Sequence, residues 1–152
     1  MLLAKDIMTR DVITIHYTAS IRELSKLLSE RGITGVPVID EEKRLLGMVS
    51  MRDVIREEVR RLGAHVEYHD IYELFSSALN VEESEDSAPQ LWVEEIMSRR
   101  LFTAAEDTPV CDICKMMFTH NIHRIPVLRN EKVVGLVTAM DVVRTVAEGI
   151  DS

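Results

Sequence analysis

Short apolar stretches along the first 60 residues predict a strand–helix–strand–strand–helix unit. Residues 12–15 are rich in β-branched side chains and predict a strand. Ser20 then precedes apolar residues at helical spacing that end at a glycine, which predicts a capped helix. Residues 36–39 and 45–49 flank a charged turn, and their apolar character predicts two more strands. Ser50 begins the second predicted helix.

The same pattern returns in the second half of the chain and indicates an internal duplication. Ile7-Met8 recurs as Ile96-Met97, 89 positions later. The offset becomes 88 in the turn after the matched prolines, Pro37 and Pro126. The later copy predicts a helix from about Thr108 to His120, two strands and a final helix from Thr138. The matching islands are residues 4–15 with 93–104, 32–39 with 121–128, and 47–56 with 135–144.

The repeat predicts an α/β (α+β) fold of two β-α-β-β-α units that pack sheet against sheet. A unit of roughly 55 residues buries little apolar surface by itself, so pairing supplies the missing core. We divide the chain into a first repeat (1–62), an acidic helical insert (63–91) and a second repeat (92–152). The stretch 57–92 carries nine acidic and two basic residues and therefore most of the net charge of −8. Two interpretations of the insert stay open: a helical linker that caps the core, or a docking surface for another subunit or partner.

Composition excludes several classes of protein. The net charge of −8 argues against a nucleic-acid binder, because such proteins need clustered cations. No apolar run reaches the ~18 residues of a membrane span, and the first ten residues lack the apolar core of a signal peptide. A cytoplasmic protein without membrane contact is the expectation. Aromatic residues are only 5%, so the core is expected to consist of Val, Ile, Leu and Met.

A hydroxyl and a carboxylate three residues apart follow the last strand of both repeats. The pairs are Ser50 with Asp53 and Thr138 with Asp141. One interpretation is a capping box, in which the hydroxyl and the acid bind the first amides of the helix. The other is a nucleotide seat, where free N–H groups at the helix start attract phosphate and the carboxylate accepts from the ribose hydroxyls.

The h-P-V-h turn and the G-h-V-[ST]-x-x-D ending of both repeats resemble the cystathionine β-synthase (CBS) domain. Two copies in one chain resemble the tandem CBS pair, or Bateman module, over about residues 3–60 and 92–147. The resemblance implies a pseudo-twofold pair with two clefts that bind AMP, ADP or ATP, or less often S-adenosylmethionine. It also implies a regulatory role without catalysis.

The resemblance also implies which residues line the two clefts. Asp53 and Asp141 match the acid that binds ribose, with Ser50 and Thr138 as the hydroxyls beside them. Positions at the ends of the first strands and in the Pro segments match residues that face the ligand. These positions are Thr14, Thr103, Val36, Pro37, Ile125 and Pro126.

A basic pair distinguishes the second repeat from the first. His123-Arg124 resembles the phosphate-binding pair of nucleotide-binding members, whereas the first repeat has Thr34-Gly35. The alternative interpretation is a surface pair at a helix end. Family geometry implies one better-equipped site that combines Ser50, Arg52 and Asp53 with His123 and Arg124. The site built on Thr138 and Asp141 is then expected to lack a cation.

Other reactive residues carry weaker hypotheses. Cys111 and Cys114 fall in a predicted helix without further metal ligands, so core packing is expected rather than zinc or redox chemistry. His65, His69 and Glu73 have helical spacing but are interpreted as surface decoration. No P-loop, Rossmann glycine motif or nucleophile elbow is present. We therefore expect that the protein binds no metal or catalytic cofactor and is not an enzyme. The alternative is an enzyme whose catalytic residues these motifs do not reveal.

The function predicted from the sequence is a stand-alone sensor. An adenine nucleotide (AMP, ADP or ATP) binds between the repeats and changes the conformation of the dimer or its affinity for an unknown protein target. The alternatives are a ligand-free dimerisation or scaffold module and a binder of another adenosyl ligand. The resemblance also implies a homodimer, since pairs of this family associate through their helices, and the last helix of each repeat here is rich in Val and Ile.

Overall fold

The computed structural model describes residues 1–62 and 90–149. The helix predicted around Ile71 and the His65–His69 pair lie outside the described residues. The described chain forms two compact units, each with a three-stranded sheet. The first unit comprises Thr14–Asp40 and Leu46–Arg99, and the second comprises Met1–Ile13, Glu41–Leu45 and Arg100–Ser152.

The first unit has the predicted order of elements. The elements are β1 (Ile15–His16), α2 (Ile21–Arg31), β2 (Gly35–Ile39), β3 (Leu45–Ser50, with Leu45 at the unit boundary) and α3 (Met51–Leu62). Ser20 caps α2 by accepting from the Glu23 N–H at 3.1 Å, while the Glu23 carboxylate accepts from the Ser20 N–H at 2.7 Å. Gly32 ends the helix in the left-handed conformation, at φ 62°.

The second unit repeats this order. Its elements are β4 (Ala104–Ala105), α5 (Val110–His120), β5 (Arg124–Arg129), β6 (Lys132–Thr138) and α6 (Ala139–Ala147). β4 pairs parallel with β5, as β1 pairs with β2, and the registers Ala104↔Val127 and Ile15↔Val38 are equivalent in the repeats. The predicted β-α-β-β-α unit is therefore confirmed in both halves. The first strand, predicted over residues 12–15, comprises only Ile15–His16, and its counterpart in the second repeat is only Ala104–Ala105.

Each unit also takes a short helix from the opposite sequence repeat, which the apolar pattern did not predict. Helix α1 (Ala4–Ile7) belongs to the second unit, and helix α4 (Val93–Ile96) belongs to the first. The Ala4 N–H donates to the Thr108 carbonyl at 2.8 Å, and the Val93 N–H donates to the Ala19 carbonyl at 2.8 Å. The compact units are therefore not contiguous in sequence, while the division into 1–62, 63–91 and 92–152 stays a prediction.

A methionine after each short helix packs on a strand glycine. Met8 and Met97 are buried, as expected for equivalent core positions. A Cβ at Gly135 would overlap the Met8 Sδ and lie 2.8 Å from its Cγ. A Cβ at Gly47 would lie 2.8 Å from the Met97 Sδ and 2.7 Å from the Ser98 carbonyl oxygen. Both strands therefore need glycine at the place where the exchanged segment crosses them.

Both cores consist of aliphatic side chains, as the composition predicts. The core of the second unit includes Ala4, Met8, Ala104, Ile113, Met117, Ile125, Val127 and Val137. Buried positions of the first unit include Leu24, Leu28, Val36, Val38, Val49, Val54, Val93 and Met97. Within the described residues, no helix has both the length and the apolar character needed to cross a membrane.

We expect Gly135→Ala and Gly47→Ala each to lower the free energy of unfolding by about 1–3 kcal/mol, because each added methyl overpacks a methionine. The two variants should differ in how far a second substitution, of the neighbouring methionine, restores their stability. Met8→Ala removes the two nearest atoms, Sδ and Cγ, and leaves only Cβ at 3.2 Å from the methyl added at Gly135, whereas Met97→Ala leaves the Ser98 carbonyl oxygen at 2.7 Å from the methyl added at Gly47. Urea unfolding of both double-mutant cycles should give the larger favourable coupling for the Met8–Gly135 pair. Equal couplings would contradict this account of the two glycines.

Candidate functional site

The sequence-predicted site residues divide into two equivalent sets, one in each unit. Thr14 and Thr103 directly precede β1 and β4. The hydroxyl and carboxylate residues lie where the last strand of the unit meets its last helix. The first unit holds Thr14, Val36, Pro37, Ser50, Arg52 and Asp53, and the second holds Thr103, His123, Arg124, Ile125, Pro126, Thr138 and Asp141.

In the second unit, Thr138 and Asp141 form a complete capping box at the start of α6. The Thr138 N–H and hydroxyl donate to one carboxylate oxygen, Asp141 Oδ2, at 2.7 and 2.8 Å. The Asp141 N–H donates to the Thr138 hydroxyl oxygen at 3.2 Å. The Asp141 carboxylate is buried, and its other oxygen, Oδ1, takes no part in the cap.

In the first unit, Ser50 and Asp53 form the acid half of this arrangement at the start of α3. The Ser50 N–H and hydroxyl donate to Asp53 Oδ2 at 2.8 and 3.1 Å. The capping interpretation is thus confirmed in full for the second repeat and for the carboxylate of the first. It does not exclude binding, because a carboxylate has about four acceptor positions and the cap uses those of one oxygen.

Several amides at the helix starts already have partners. The first amides of both helices donate to a carbonyl: Met51 N–H to Thr34 and Ala139 N–H to His123, both at 2.9 Å. In the second unit the Thr138 and Asp141 amides also donate within the cap. These amides are therefore not free for a phosphate, and phosphate binding at the helix starts stays a prediction.

An arginine one helical turn after each aspartate approaches the uncapped oxygen. Arg56 Nη1 lies 3.3 Å from Asp53 Oδ1, and Arg144 Nη1 lies 3.9 Å from Asp141 Oδ1. Both arginine side chains are about two-thirds exposed, whereas the aspartates are nearly buried. We did not predict these residues from the sequence. The signal was present, because the motif continues as S/T-x-x-D-x-x-R in both repeats.

The Pro segments lie in the core rather than on an open surface. Val36 and Pro37 in β2, and Ile125 and Pro126 in β5, have almost no exposed side chain. Thr14 and Thr103 are half-buried. In this structure the side chains of the Pro segments support the sheet, so a role in contact with adenine stays a prediction.

The basic pair stands beside the cap of its own unit. Arg124 begins β5 and is the antiparallel register partner of Thr138, so the two side chains are cross-strand neighbours. Arg124 is half-buried, and this desolvation lowers the pKa of its guanidinium, while His123 is exposed. The register therefore places a basic residue next to Thr138, which the sequence did not suggest, while the absence of a ligand-binding cation from the Thr138–Asp141 site stays a prediction. The contribution of Arg124 to a ligand on Asp53 stays a prediction.

The cysteine expectation is also wrong in part. Cys111 is exposed on α5 and Cys114 is half-buried, so the pair does not pack in the core. Helix α5 instead turns Ile113 and Met117 inward. Burial, and then the Cys111 thiol, raises the pKa of Cys114, which disfavours a reactive thiolate. In the ranges 1–62 and 90–149, His, Cys, Asp and Glu form no cluster of three that could hold a metal ion.

The profile of the CBS domain matches residues 4–60 and 93–148. The chain is 31% identical to L-aspartate semialdehyde sulfurtransferase of Methanocaldococcus jannaschii over 93% of its own length, but it spans only 23% of that enzyme. It is 28% identical to an uncharacterized protein of the same organism, with 94% of this chain and 90% of that protein covered. It also spans 24% of homoserine O-acetyltransferase of Methanohalobium evestigatum, at 27% identity.

Solved structures share the fold over nearly the whole chain. The CBS domain pair of protein MJ0100, in complex with 5′-methylthioadenosine and S-adenosyl-L-methionine, superposes with a TM-score of 0.71 at 29% identity and covers 98% of both chains. CBSX2 in complex with AMP superposes with a TM-score of 0.75 at 22% identity, over 99% of this chain and 100% of that one. With two matched repeats and this shared architecture, the chain belongs to the CBS domain family as a tandem pair.

Proposed function

We propose that this chain is a regulatory module that binds an adenosine-containing ligand through Asp53 and Asp141. The observation that carries the proposal is that the two oxygens of each carboxylate have different roles. Oδ2 holds the helix cap, and Oδ1 lies outside it. An uncapped carboxylate oxygen at a strand–helix junction suits the hydroxyls of a ribose, which are hydrogen-bond donors.

The chemistry around the second unit supports a ligand with a 5′-phosphate. Arg124 offers a planar fork of donors and is the register partner of Thr138, the residue that caps α6 with Asp141. AMP, ADP or ATP is therefore our first choice of ligand. The MJ0100 pair, which is 29% identical, was solved with two adenosyl compounds that carry no phosphate, so S-adenosylmethionine is the alternative. Binding would change the affinity for a protein partner by favouring one of two states.

Asp53→Ala and Asp141→Ala should each weaken adenosine binding at least tenfold, because each removes the uncapped oxygen. Each also removes a cap and should cost about 0.5–2 kcal/mol of stability. Glu23→Ala is the matched control, since it opens the same kind of capping box at α2, away from these carboxylates. Calorimetric titration and thermal unfolding should show loss of stability in all three variants but loss of affinity only in the aspartate variants. Weaker binding in Glu23→Ala to the same degree would assign the effect to folding.

Arg124→Ala should weaken AMP binding by about 10- to 100-fold and adenosine binding much less, because a charge-assisted bond to phosphate is lost. Arg129→Ala is the control: it removes the same charge from the other end of β5. Equal losses for both ligands would refute the phosphate role. Double variants that combine Arg124→Ala with Asp53→Ala or with Asp141→Ala then show which carboxylate shares a ligand with Arg124. For that pair, the losses of binding free energy in the two single variants do not add up to the loss in the double variant.

A second candidate function is self-association, favoured by one exposed apolar face of α6. Met140, Val143 and Val146 follow one another at helical spacing, with 66%, 55% and 70% of their surface exposed. Three exposed apolar side chains in one row mark a contact surface more often than isolated ones do. A second copy of this chain is the partner that we propose for this face.

Val143→Glu should convert the dimer to a monomer in sedimentation or light-scattering measurements, because it buries a charge in an apolar contact. Ser29→Glu on the exposed face of α2 is the control and should leave the mass unchanged. A wild-type chain that is monomeric at all concentrations would exclude this candidate and leave the ligand proposal untouched.

A further inference from the structure

The two aspartates differ in how their uncapped oxygens are occupied. Asp53 Oδ1 accepts a hydrogen bond from Arg56 Nη1 at 3.3 Å. Asp141 Oδ1 faces Arg144 at 3.9 Å, which is an ion pair but is longer than a hydrogen bond. The capping oxygens, by contrast, are equivalent, because each accepts an N–H and a hydroxyl from the residue before its helix.

The acceptor positions of Asp53 can be counted. A carboxylate offers about four, two on each oxygen. Ser50 occupies both positions of Oδ2, and Arg56 occupies one of the two on Oδ1. A ribose 2′,3′-diol brings two O–H donors, so one acceptor is lacking unless the arginine leaves. A sugar with a single hydroxyl needs only the position that remains.

We propose that Arg56 is a specificity-determining residue: it is the counter-ion that a ribose diol must displace from Asp53 Oδ1. This inference rests on the proposed function and adds a residue to it. Arg56 can leave at little cost, because its side chain is 69% exposed and its partner lies on the same helix three residues earlier. Exposed ion pairs of this kind contribute little to stability and exchange readily with water.

Arg56 therefore lowers the affinity of Asp53 for diol ligands by a small factor. Diol ligands must displace it at Asp53 and not at Asp141, where no hydrogen bond from Arg144 has to be broken. Deoxy ligands are unaffected at either carboxylate. The two repeats thus acquire different affinities for the same ribonucleoside even though their Oδ2 oxygens make the same two hydrogen bonds.

The test compares adenosine with 2′-deoxyadenosine by calorimetric titration of the full chain. Arg56→Met should raise the affinity for adenosine by about two- to fivefold, the strength of an exposed ion pair, and leave 2′-deoxyadenosine unchanged. The Met side chain has no N–H donor and keeps the helix propensity of the position, and thermal unfolding checks that the fold is retained.

Two controls separate displacement from a general loss of charge. Arg60→Met removes the same charge one turn later on α3, where Arg60 pairs with Glu57 and not with Asp53, and should change neither affinity. Arg144→Met should raise adenosine affinity less than twofold. Gains of equal size for both nucleosides, or no gain for adenosine, would overturn the role of Arg56. If the wild-type chain and Arg56→Met both fail to bind adenosine, the proposed function falls and takes this inference with it.

Discussion

One carboxylate holds the junction between the last strand and the last helix in each unit. Its Oδ2 accepts both the amide and the hydroxyl of the residue that ends the strand, which sets the direction in which the helix leaves the sheet. Because this oxygen is committed to the cap, the position of Oδ1 is also set. The capping and ligand interpretations of the motif are therefore compatible: the cap fixes the oxygen that we propose for binding.

The second constraint is the exchange of short helices between the sequence repeats. Each compact unit contains the leading segment of the other repeat, held by backbone hydrogen bonds and by a methionine that crosses a strand glycine. A side chain at that glycine would occupy the space of the methionine. The glycine of the G-h-V-[ST] ending is thus explained by packing, and the hydroxyl and acid that follow it by capping.

Small differences distinguish two units that share one plan. The second carries Arg124 beside its cap, where the first has Gly35 after Thr34. The first has an arginine within hydrogen-bonding distance of its uncapped oxygen, whereas the second has a longer ion pair. A duplicated fold keeps the cap because the helix depends on it. Both units also keep an arginine one turn after the aspartate, and it is the distance of this arginine from the uncapped oxygen that differs. We propose that this difference, together with Arg124, gives each half its own ligand preference.

Local patterns in the sequence determined the order of elements, the helix start at Ser20, the contact of each hydroxyl residue with the acid three positions later, the spacing that lets Arg56 reach Asp53, and the duplication itself. These features depend on neighbours within a few residues, so periodicity and cap chemistry reveal them. Only the tertiary structure decided that α1 and α4 join the opposite repeat, that Arg124 pairs with Thr138, and that the first helix amides donate to the carbonyls of Thr34 and His123. It likewise decided that Cys111 faces outward. Those outcomes depend on which surfaces meet across long stretches of chain and on side-chain directions, and neither is encoded in the spacing of residues along one segment.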